Sequence, residues 1–260
     1  MMTLTPIVRR ILILWVALWI LDFLLSLGSA SLMEVLAMDP AGLLRGDFRS
    51  ILGIVGYATV HETRSFVHLF FNCWLFAMFA PEIELLFPGK RFVKLLLKIA
   101  LIGTAFTLLM AFLSPHFGAA VVGGSGFVAA MIAANAALYP DRMLNLILLR
   151  VKLLHFFVVL TALDFLGFLA QCTGTGDRIS YTVHLAGAAT GWLAVGGFQR
   201  VQGPWSNWAT KRAHKQAQKK QQKEANDEER LDAILAKISR DGMQSLTDAE
   251  RAFLRDRSRK

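Results

Sequence analysis

Six long apolar stretches constrain this chain more than any other feature of its sequence. They lie at about residues 11–30, 66–86, 92–113, 123–139, 153–170 and 181–199. A helix rises about 1.5 Å per residue, so about 20 apolar residues cross a hydrocarbon core of roughly 30 Å. The composition agrees, since 55% of the 260 residues are hydrophobic and the mean hydropathy is +0.47. We therefore predict an all-α membrane protein with six membrane-spanning helices.

The connection between the first two stretches, residues 31–65, is long and interrupted by charged residues. Its own apolar run, residues 51–60, is too short to cross a bilayer. We expect this run to lie at the membrane interface or to dip into the protein.

Lysine and arginine residues alternate between the connections and predict the orientation of the chain in its membrane. They precede the first stretch, and they follow the second, fourth and sixth stretches. Cytoplasmic segments carry such an excess, so both termini are predicted to be cytoplasmic in a multi-pass protein of the cell (plasma or inner) membrane. This topology also accounts for the formal net charge of +9, and nucleic acid is not expected as a partner.

Ser125 lies between Gly124 and Gly126 at the start of the fourth stretch, with Gly123 before them. Glycines let the backbone turn tightly and let another chain approach closely. A serine hydroxyl becomes a nucleophile when a base lies within hydrogen-bond reach, and His184 is the best-placed candidate. A serine among glycines in a membrane helix is, taken alone, more often a packing residue.

The predicted topology places further polar residues at the depth of Ser125. His68 and Asn72 are four residues apart, on one face of the second stretch. Stretches two, four and six all run inward, and each of these residues lies within about two turns of the outer end. Groups at one depth meet the first geometric condition for an active site, which would open toward the outer side. With Ser125 as nucleophile and His184 as base, the sequence predicts a serine hydrolase.

Small residues predict that the fourth and sixth stretches pack closely. The sixth contains Gly187 and Gly191, four residues apart, and the fourth is rich in alanine. Small residues at this spacing let the backbones of membrane helices approach each other. Ser125 and His184 would then face each other.

These motifs resemble those of the rhomboid intramembrane serine proteases. Residues 123–126 (GGSG) resemble the GxSG signature of that family, and His68 with Asn72 resembles the HxxxN pair of its second helix. Residues 184–191 resemble the histidine and glycine repeat of its sixth helix. The resemblance covers roughly residues 6–200 and implies a six-helix rhomboid-like bundle with a long loop between helices 1 and 2.

The resemblance also implies roles. Ser125 would be the nucleophile and His184 the general base of a dyad without a carboxylate, and Asp164 is expected to lie mid-span, away from both. His68 and Asn72 would stabilise the oxyanion. The substrates would be transmembrane helices of other proteins in the lipid bilayer, with no cofactor and no metal.

Two positions depart from the family pattern. Ala129 stands where an aromatic ring commonly packs against the histidine, and Phe48 stands where tryptophan is usual. Two other functions remain open. One is an inactive relative that binds membrane clients without cutting them, and the other is a small transporter using the same polar residues as a path.

Other polar residues in or near the stretches are interpreted as structural. We expect Asp22 and Asp164 to hold helices together, and Glu84 to be a hydrogen-bond anchor near the inner end of the second stretch. Three further histidines are expected to be interfacial side chains rather than ligands: His61, His116 and His155.

The remaining sequence divides into a basic cytoplasmic linker, residues 201–230, and a short helix-turn-helix motif, residues 231–260. The motif is predicted from an apolar stripe, a stop at Gly242, and a capping box formed by Thr247 and Glu250. We expect it to dock an unknown cytoplasmic partner rather than to bind DNA.

Overall fold

The computed structural model describes residues 4–146, 149–176, 179–197, 231, 233–234, 236–240 and 242–257. The chain divides into two units, Met1–Val201 and Gln202–Lys260. In chain order, the helices of the first unit are α1 (Pro6–Ser26), α2 (Met33–Leu36), α3 (Pro40–Leu44), α4 (Gly53–Gly56), α5 (Phe66–Leu86), α6 (Lys90–Leu113), α7 (Ser125–Leu138), α8 (Leu153–Cys172) and α9 (Tyr181–Ala194). Single 3-10 turns occur at Phe48–Leu52 and Pro115–Phe117.

The long helices, α1 and α5 to α9, coincide with the six predicted stretches to within about five residues. Among the described residues, α5, α6 and α8 are long and apolar enough to cross a membrane. The all-α membrane bundle is therefore confirmed, whereas six full crossings stay a prediction. α7 and α9 contain 14 residues each, so each is about 21 Å long.

α1 begins at Pro6 instead of at residue 11, because its first turn has partners that hydropathy does not reveal. The Glu84 carboxylate on α5 accepts hydrogen bonds from the Ile7 N–H at 3.0 Å, from the Val8 N–H at 2.9 Å and from the Thr5 hydroxyl. N–H groups of a first helical turn lack partners within the helix, and a carboxylate there satisfies them. Glu84 is thus the hydrogen-bond anchor that we predicted.

The centre of the bundle is α7, most of whose residues are buried. Its close neighbour is α9, and the contact is between backbones. A Cβ atom at Gly187 would lie 2.2 Å from the Gly126 carbonyl oxygen, and one at Gly191 would lie 2.0 Å from that of Ala130. The predicted close packing through small residues is confirmed.

The long loop between α1 and α5 folds into short helices and enters the protein. Tyr57 and Ala58 are buried, and the Ala58 carbonyl accepts a hydrogen bond from Trp15 Nε1 at 2.9 Å. Asp22, also buried, accepts hydrogen bonds from Ser31 Oγ at 2.8 Å and from the Leu32 N–H. The apolar run of this loop therefore dips into the protein, and Asp22 holds the start of the loop to α1.

The connection between α7 and α8 forms a hairpin that the sequence did not predict. Strands β1 (Met143–Leu146) and β2 (Leu149–Lys152) are antiparallel, with Leu144 opposite Val151. Lys152 forms an ion pair of 2.8 Å with Asp141 next to the hairpin. Strands of four residues give too short an alternation to be recognised between apolar helices.

In the second unit, residues 231, 233–234 and 236–240 are helical, and α10 (Asp248–Arg257) follows a 3-10 turn at Met243–Ser245. The Thr247 N–H donates to Glu250 Oε2 at 2.7 Å, and the Glu250 N–H donates to Thr247 Oγ1 at 3.4 Å. This is the predicted capping box. The predicted linker, residues 201–230, lies outside the described residues.

Candidate active site

The backbone before Ser125 takes a conformation that favours glycine. Gly123 has φ = +115°, in the left-handed region that side chains rarely adopt. Its N–H donates to the Tyr57 carbonyl at 2.8 Å, and a Cβ atom there would lie 2.9 Å from His68 Cε1. The loop before Ser125 is thus held by the Tyr57 carbonyl and faces His68, a candidate site residue on α5.

Gly124 lies directly under the indole of Trp15, and a Cβ atom there would lie 2.1 Å from Trp15 Cζ2. The Gly124 N–H donates to His61 Nε2 at 3.1 Å. The expectation that His61 is an interfacial side chain is wrong, since it is 1% exposed. Burial, with a smaller contribution from the neighbouring His68, lowers the pKa of His61 to about 3. A neutral imidazole therefore holds the backbone next to Ser125.

Ser125 and His184 face each other across the contact between α7 and α9. Ser125 begins α7, and its Oγ lies 2.7 Å from Nε2 of His184, which lies in the first turn of α9. The separation is that of a hydrogen bond between a nucleophile and its base. The backbone contact at Gly187 fixes the distance between the two helices.

A carboxylate lies on the other side of the imidazole. Asp164 Oδ1 on α8 is 2.9 Å from His184 Nδ1, and the two side chains are 23% and 19% exposed. The expectation that no carboxylate lies near Ser125 and His184 is therefore wrong, whereas Asp164 does link two helices, α8 and α9, as expected. Helix α8 can approach α9 because Gly167, one turn beyond Asp164, leaves room for Tyr181. A Cβ atom at Gly167 would lie 2.1 Å from the Tyr181 ring.

His68 and Asn72 lie on α5, on the wall of the same cavity as Ser125 and His184. Asn72 is 5% exposed, and its Nδ2 donates one hydrogen bond to the His68 carbonyl at 2.9 Å. An amide nitrogen carries two hydrogens, so a second donor is present on this wall. The four predicted site residues are therefore brought to one cavity.

The cavity has a volume of about 1110 Å³, which is large enough for a segment of polypeptide. Ala129 on α7 also lines it. Its other walls are mainly apolar side chains of α5 and α8: Val67, Phe71, Leu75, Phe157 and Leu160. The cavity therefore has apolar side chains on its walls together with the polar groups of Ser125 and His184.

Sequence reasoning missed Asp164, His61 and Trp15 as neighbours of this site. A signal for Asp164 was available, because α8 and α9 are consecutive antiparallel helices. Asp164 lies about 12 Å from the end of α8 and His184 about 4.5 Å from the start of α9. Two side chains and a helix tilt span that difference. No comparable signal exists for Trp15, whose partner Gly124 is remote in sequence.

No group of three His, Cys, Asp or Glu side chains in the described part of the chain has the arrangement of a metal site. The side chains that line the cavity include a hydroxyl, an imidazole, a carboxylate and an amide donor. Such groups suit acyl transfer to serine.

Comparison with known proteins assigns the family of the chain. Residues 48–200 match the family model described as the Rhomboid domain. Residues 215–260 match a family of unknown function, DUF6576. No curated protein matches the chain. Since the first match covers more than half of its residues, the chain is a membrane protein that belongs to the rhomboid family, a family of intramembrane proteases.

Proposed function

We propose that this protein is a serine endopeptidase that hydrolyses a peptide bond in or near the transmembrane helix of other membrane proteins. The observation that carries the proposal is the 2.7 Å separation of Ser125 Oγ and His184 Nε2 inside the cavity. Membership of the rhomboid family supports the reaction class.

In the first half of the reaction, Ser125 Oγ attacks the carbonyl carbon of the scissile bond, and its proton passes to His184 Nε2. The new C–O bond leaves a negative charge on the carbonyl oxygen. His184 then gives the proton to the leaving amine as the C–N bond breaks. The product is an ester between Ser125 and the new carboxyl end of the substrate.

In the second half, water attacks the ester carbon while His184 Nε2 takes one of its protons. When the C–O bond to Ser125 breaks, His184 returns that proton to Oγ. The carboxyl product leaves and the enzyme is restored. The 19% exposure of the His184 side chain in the cavity is consistent with an approach of water to this site.

His68, the second hydrogen of Asn72 Nδ2 and the Ser125 backbone N–H are the proposed donors to the oxyanion. Ser125 is the first residue of α7, where N–H groups lack partners within the helix and attract negative charge. Removing one such donor costs about 2.7 to 4 kcal/mol of transition-state stabilisation in serine proteases.

We propose that the substrate helix enters from the lipid between α5 and α8. Both helices contribute apolar side chains to the cavity wall, for example Phe71 and Leu160. The lysine and arginine pattern favours cytoplasmic termini and a cavity open toward the outer side.

The test is cleavage of a single-span substrate by the purified full-length protein in liposomes. We expect product with the wild type and none with Ser125→Ala or His184→Ala. Matched controls are Ser26→Ala and His155→Ala, which remove the same functional groups at exposed positions of α1 and α8. Both controls should cleave at the wild-type rate.

A folded wild type that neither cleaves nor reacts with a fluorophosphonate contradicts the proposal. That outcome would instead favour the alternative, a catalytically inactive relative that binds membrane clients. Labelling that requires Ser125 and His184, without cleavage, would mean that the wrong substrate was offered and would support the active site.

A further inference from the structure

We propose that Asp164 positions His184, so that the site works as a triad of Asp164, His184 and Ser125. The three side chains form one continuous chain, with 2.9 Å from Oδ1 to Nδ1 and 2.7 Å from Nε2 to Oγ. This inference rests on the proposed function of Ser125 and His184. Its subject is the residue that sets the imidazole for that function.

The contact selects the useful tautomer. An ionised carboxylate only accepts hydrogen bonds, so Nδ1 carries the hydrogen in its contact with Asp164. Nε2 then has a free lone pair and accepts the Ser125 hydroxyl. The other tautomer would place a hydrogen on Nε2 and remove the base from the nucleophile.

Packing between α8 and α9 holds Asp164 in this place. The helices run antiparallel, and three pairs along their contact occur in order. Gly167 lies against Tyr181, Asp164 bonds to His184, and Phe157 stacks on Trp192 with ring centroids 5.4 Å apart. The carboxylate thus sits between a tight contact and a ring stack.

Asp164 is the sole acidic residue in the sequence of α8, whose other residues are mostly apolar. A carboxylate within a membrane helix is costly and persists where it has a partner or a function. Since the described partner is His184 and both side chains line the cavity, stabilising the imidazole explains the position of this charge.

The side chains of α7 that line the cavity after Ser125 are apolar: Val128, Ala129 and Ile132. None of them can accept a hydrogen bond from the imidazole. Tyr181 contacts the ring edge-on, with centroids 6.3 Å apart. This contact limits tilt but does not choose between the tautomers.

The charge also acts during the reaction. When His184 takes the proton from Ser125 it becomes an imidazolium, and the adjacent carboxylate stabilises it. Replacing the equivalent group in a soluble serine protease lowers kcat by about 10⁴. Because Asp164 is 23% exposed, solvent screens part of this interaction, and we expect a loss of about 10² to 10³.

The variants are Asp164→Asn and Asp164→Ala, assayed as full-length protein for cleavage of a single-span substrate. Asn preserves shape, but its amide can donate to Nδ1 and so favour the wrong tautomer. The matched control is Asp22→Asn, which neutralises a buried aspartate on α1 whose partners are Ser31 and Leu32. We expect kcat to fall by about 10² to 10³ in both Asp164 variants, with KM within about twofold.

A second measurement reads the imidazole itself. Nitrogen-15 NMR of histidine-labelled protein, with the signal assigned by His184→Ala, distinguishes the two tautomers. We expect the hydrogen on Nδ1 in the wild type and a shift toward Nε2 in Asp164→Asn. A role in folding alone would not move this signal in folded protein.

The outcomes separate the two proposals. If the wild type cleaves and Asp164→Asn cleaves as fast, this inference is overturned and the proposed function stands. If the folded wild type neither cleaves nor reacts with a fluorophosphonate, both are overturned. Should the Asp164 variants fail to fold, a hydrogen on Nε2 in the wild type overturns the inference and one on Nδ1 supports it.

Discussion

The two faces of α9 are held in different ways. Toward α7 the contact is backbone on backbone, since Gly187 and Gly191 lie against carbonyl oxygens. Toward α8 the contact is made by side chains such as Tyr181 and Trp192. Of the residues of α8, all within the described part of the chain, Leu153 alone is buried, whereas most of α7 is buried.

The difference distinguishes a close backbone contact, between α7 and α9, from a looser side-chain contact, between α8 and α9. Ser125 and His184 lie on the tightly packed pair, where lipid gives no hydrophobic drive and close backbone contact supplies the attraction. α8 borders the cavity through which a substrate would pass and is held to α9 along a narrow contact that includes Asp164. His184 therefore has a close backbone contact on one side of α9 and a looser side-chain contact on the other.

Gly187→Ala should disrupt the face of α9 that packs on α7, and we expect it to have the largest effect on stability and cleavage. Its new methyl group would lie 2.2 Å from the Gly126 carbonyl oxygen, which is backbone and cannot rotate away. We expect the free energy of unfolding, measured by adding SDS to detergent micelles, to fall by about 2 to 3 kcal/mol. Cleavage should be lost, because the helices that carry Ser125 and His184 are pushed apart.

The nearby substitution Ala189→Gly serves as the control for Gly187→Ala, since it changes one methyl group at an exposed position of α9 without adding bulk. It should cost about 1 kcal/mol through helix propensity and leave cleavage in place. A Gly187→Ala protein with wild-type stability would mean that the faces of α9 do not differ as described.

Acid should destabilise the protein through His61, which accepts the Gly124 hydrogen bond just before α7. The native pKa is about 3, below the value of about 6.5 in an unfolded chain. The unfolded chain therefore binds more protons between these values, and stability is lost as pH falls from 6.5 toward 3. From pH 7 to pH 5 we expect a loss of about 2 kcal/mol that is attributable to His61.

The pH effect is measured as the difference between the wild type and His61→Gln, unfolded with SDS at each pH. A glutamine amide oxygen can accept the Gly124 hydrogen bond without titrating. Its unfolding free energy should fall less between pH 7 and pH 5. Equal slopes in the two proteins would refute the assignment to His61.

Gly167→Ala tests the face of α9 that packs on α8. The new methyl group would lie 2.1 Å from the Tyr181 ring, but a side chain can turn aside, so we expect a stability loss below about 1 kcal/mol. Asp164 moves with α8, and we expect kcat to fall about tenfold, which corresponds to about 1.4 kcal/mol. Unchanged cleavage would indicate that α8 absorbs the change without moving Asp164.

Leu163→Ala on α8 should have the smallest effect. This side chain is 58% exposed, on a helix expected to face lipid both before and after unfolding. We therefore expect the substitution to lower the free energy of unfolding by less than about 0.5 kcal/mol. Ile132→Val on α7 removes fewer atoms but is 3% exposed, and we expect about 0.5 to 1.5 kcal/mol. The reverse order, in SDS unfolding of both proteins, would contradict the comparison.

Most of the fold was accessible from sequence, because long apolar helices leave a strong signal. The stretch at residues 66–86 coincides with α5, and the pairing of Gly187 and Gly191 with an alanine-rich helix predicted the contact between α7 and α9. The hairpin β1–β2 was missed, because its strands are short and lie between apolar helices.

The polar residues at the cavity could be predicted from sequence, because the position of a residue along a membrane-spanning stretch gives its expected depth. Ser125, His184, His68 and Asn72 were predicted to share a depth, and they line one cavity. Asp164 was misjudged because counting residues ignores helix tilt and the reach of side chains. His61 was misjudged because its partner, the Gly124 N–H, is a backbone group that no sequence pattern marks.

The indole of Trp15 has a consequence for how the protein is made. It covers Gly124 from α1, a helix that lies before the region matching the rhomboid family. During synthesis at about 5 to 20 residues per second, α1 is inserted roughly 5 to 20 s before Gly124 leaves the ribosome. Until Gly124 is synthesised, we expect the Trp15 indole to lie in lipid or against the insertion machinery, because its partner in the folded protein is absent. A chain begun at residue 48 would contain Ser125, His184 and Asp164 and would lack the indole that covers Gly124.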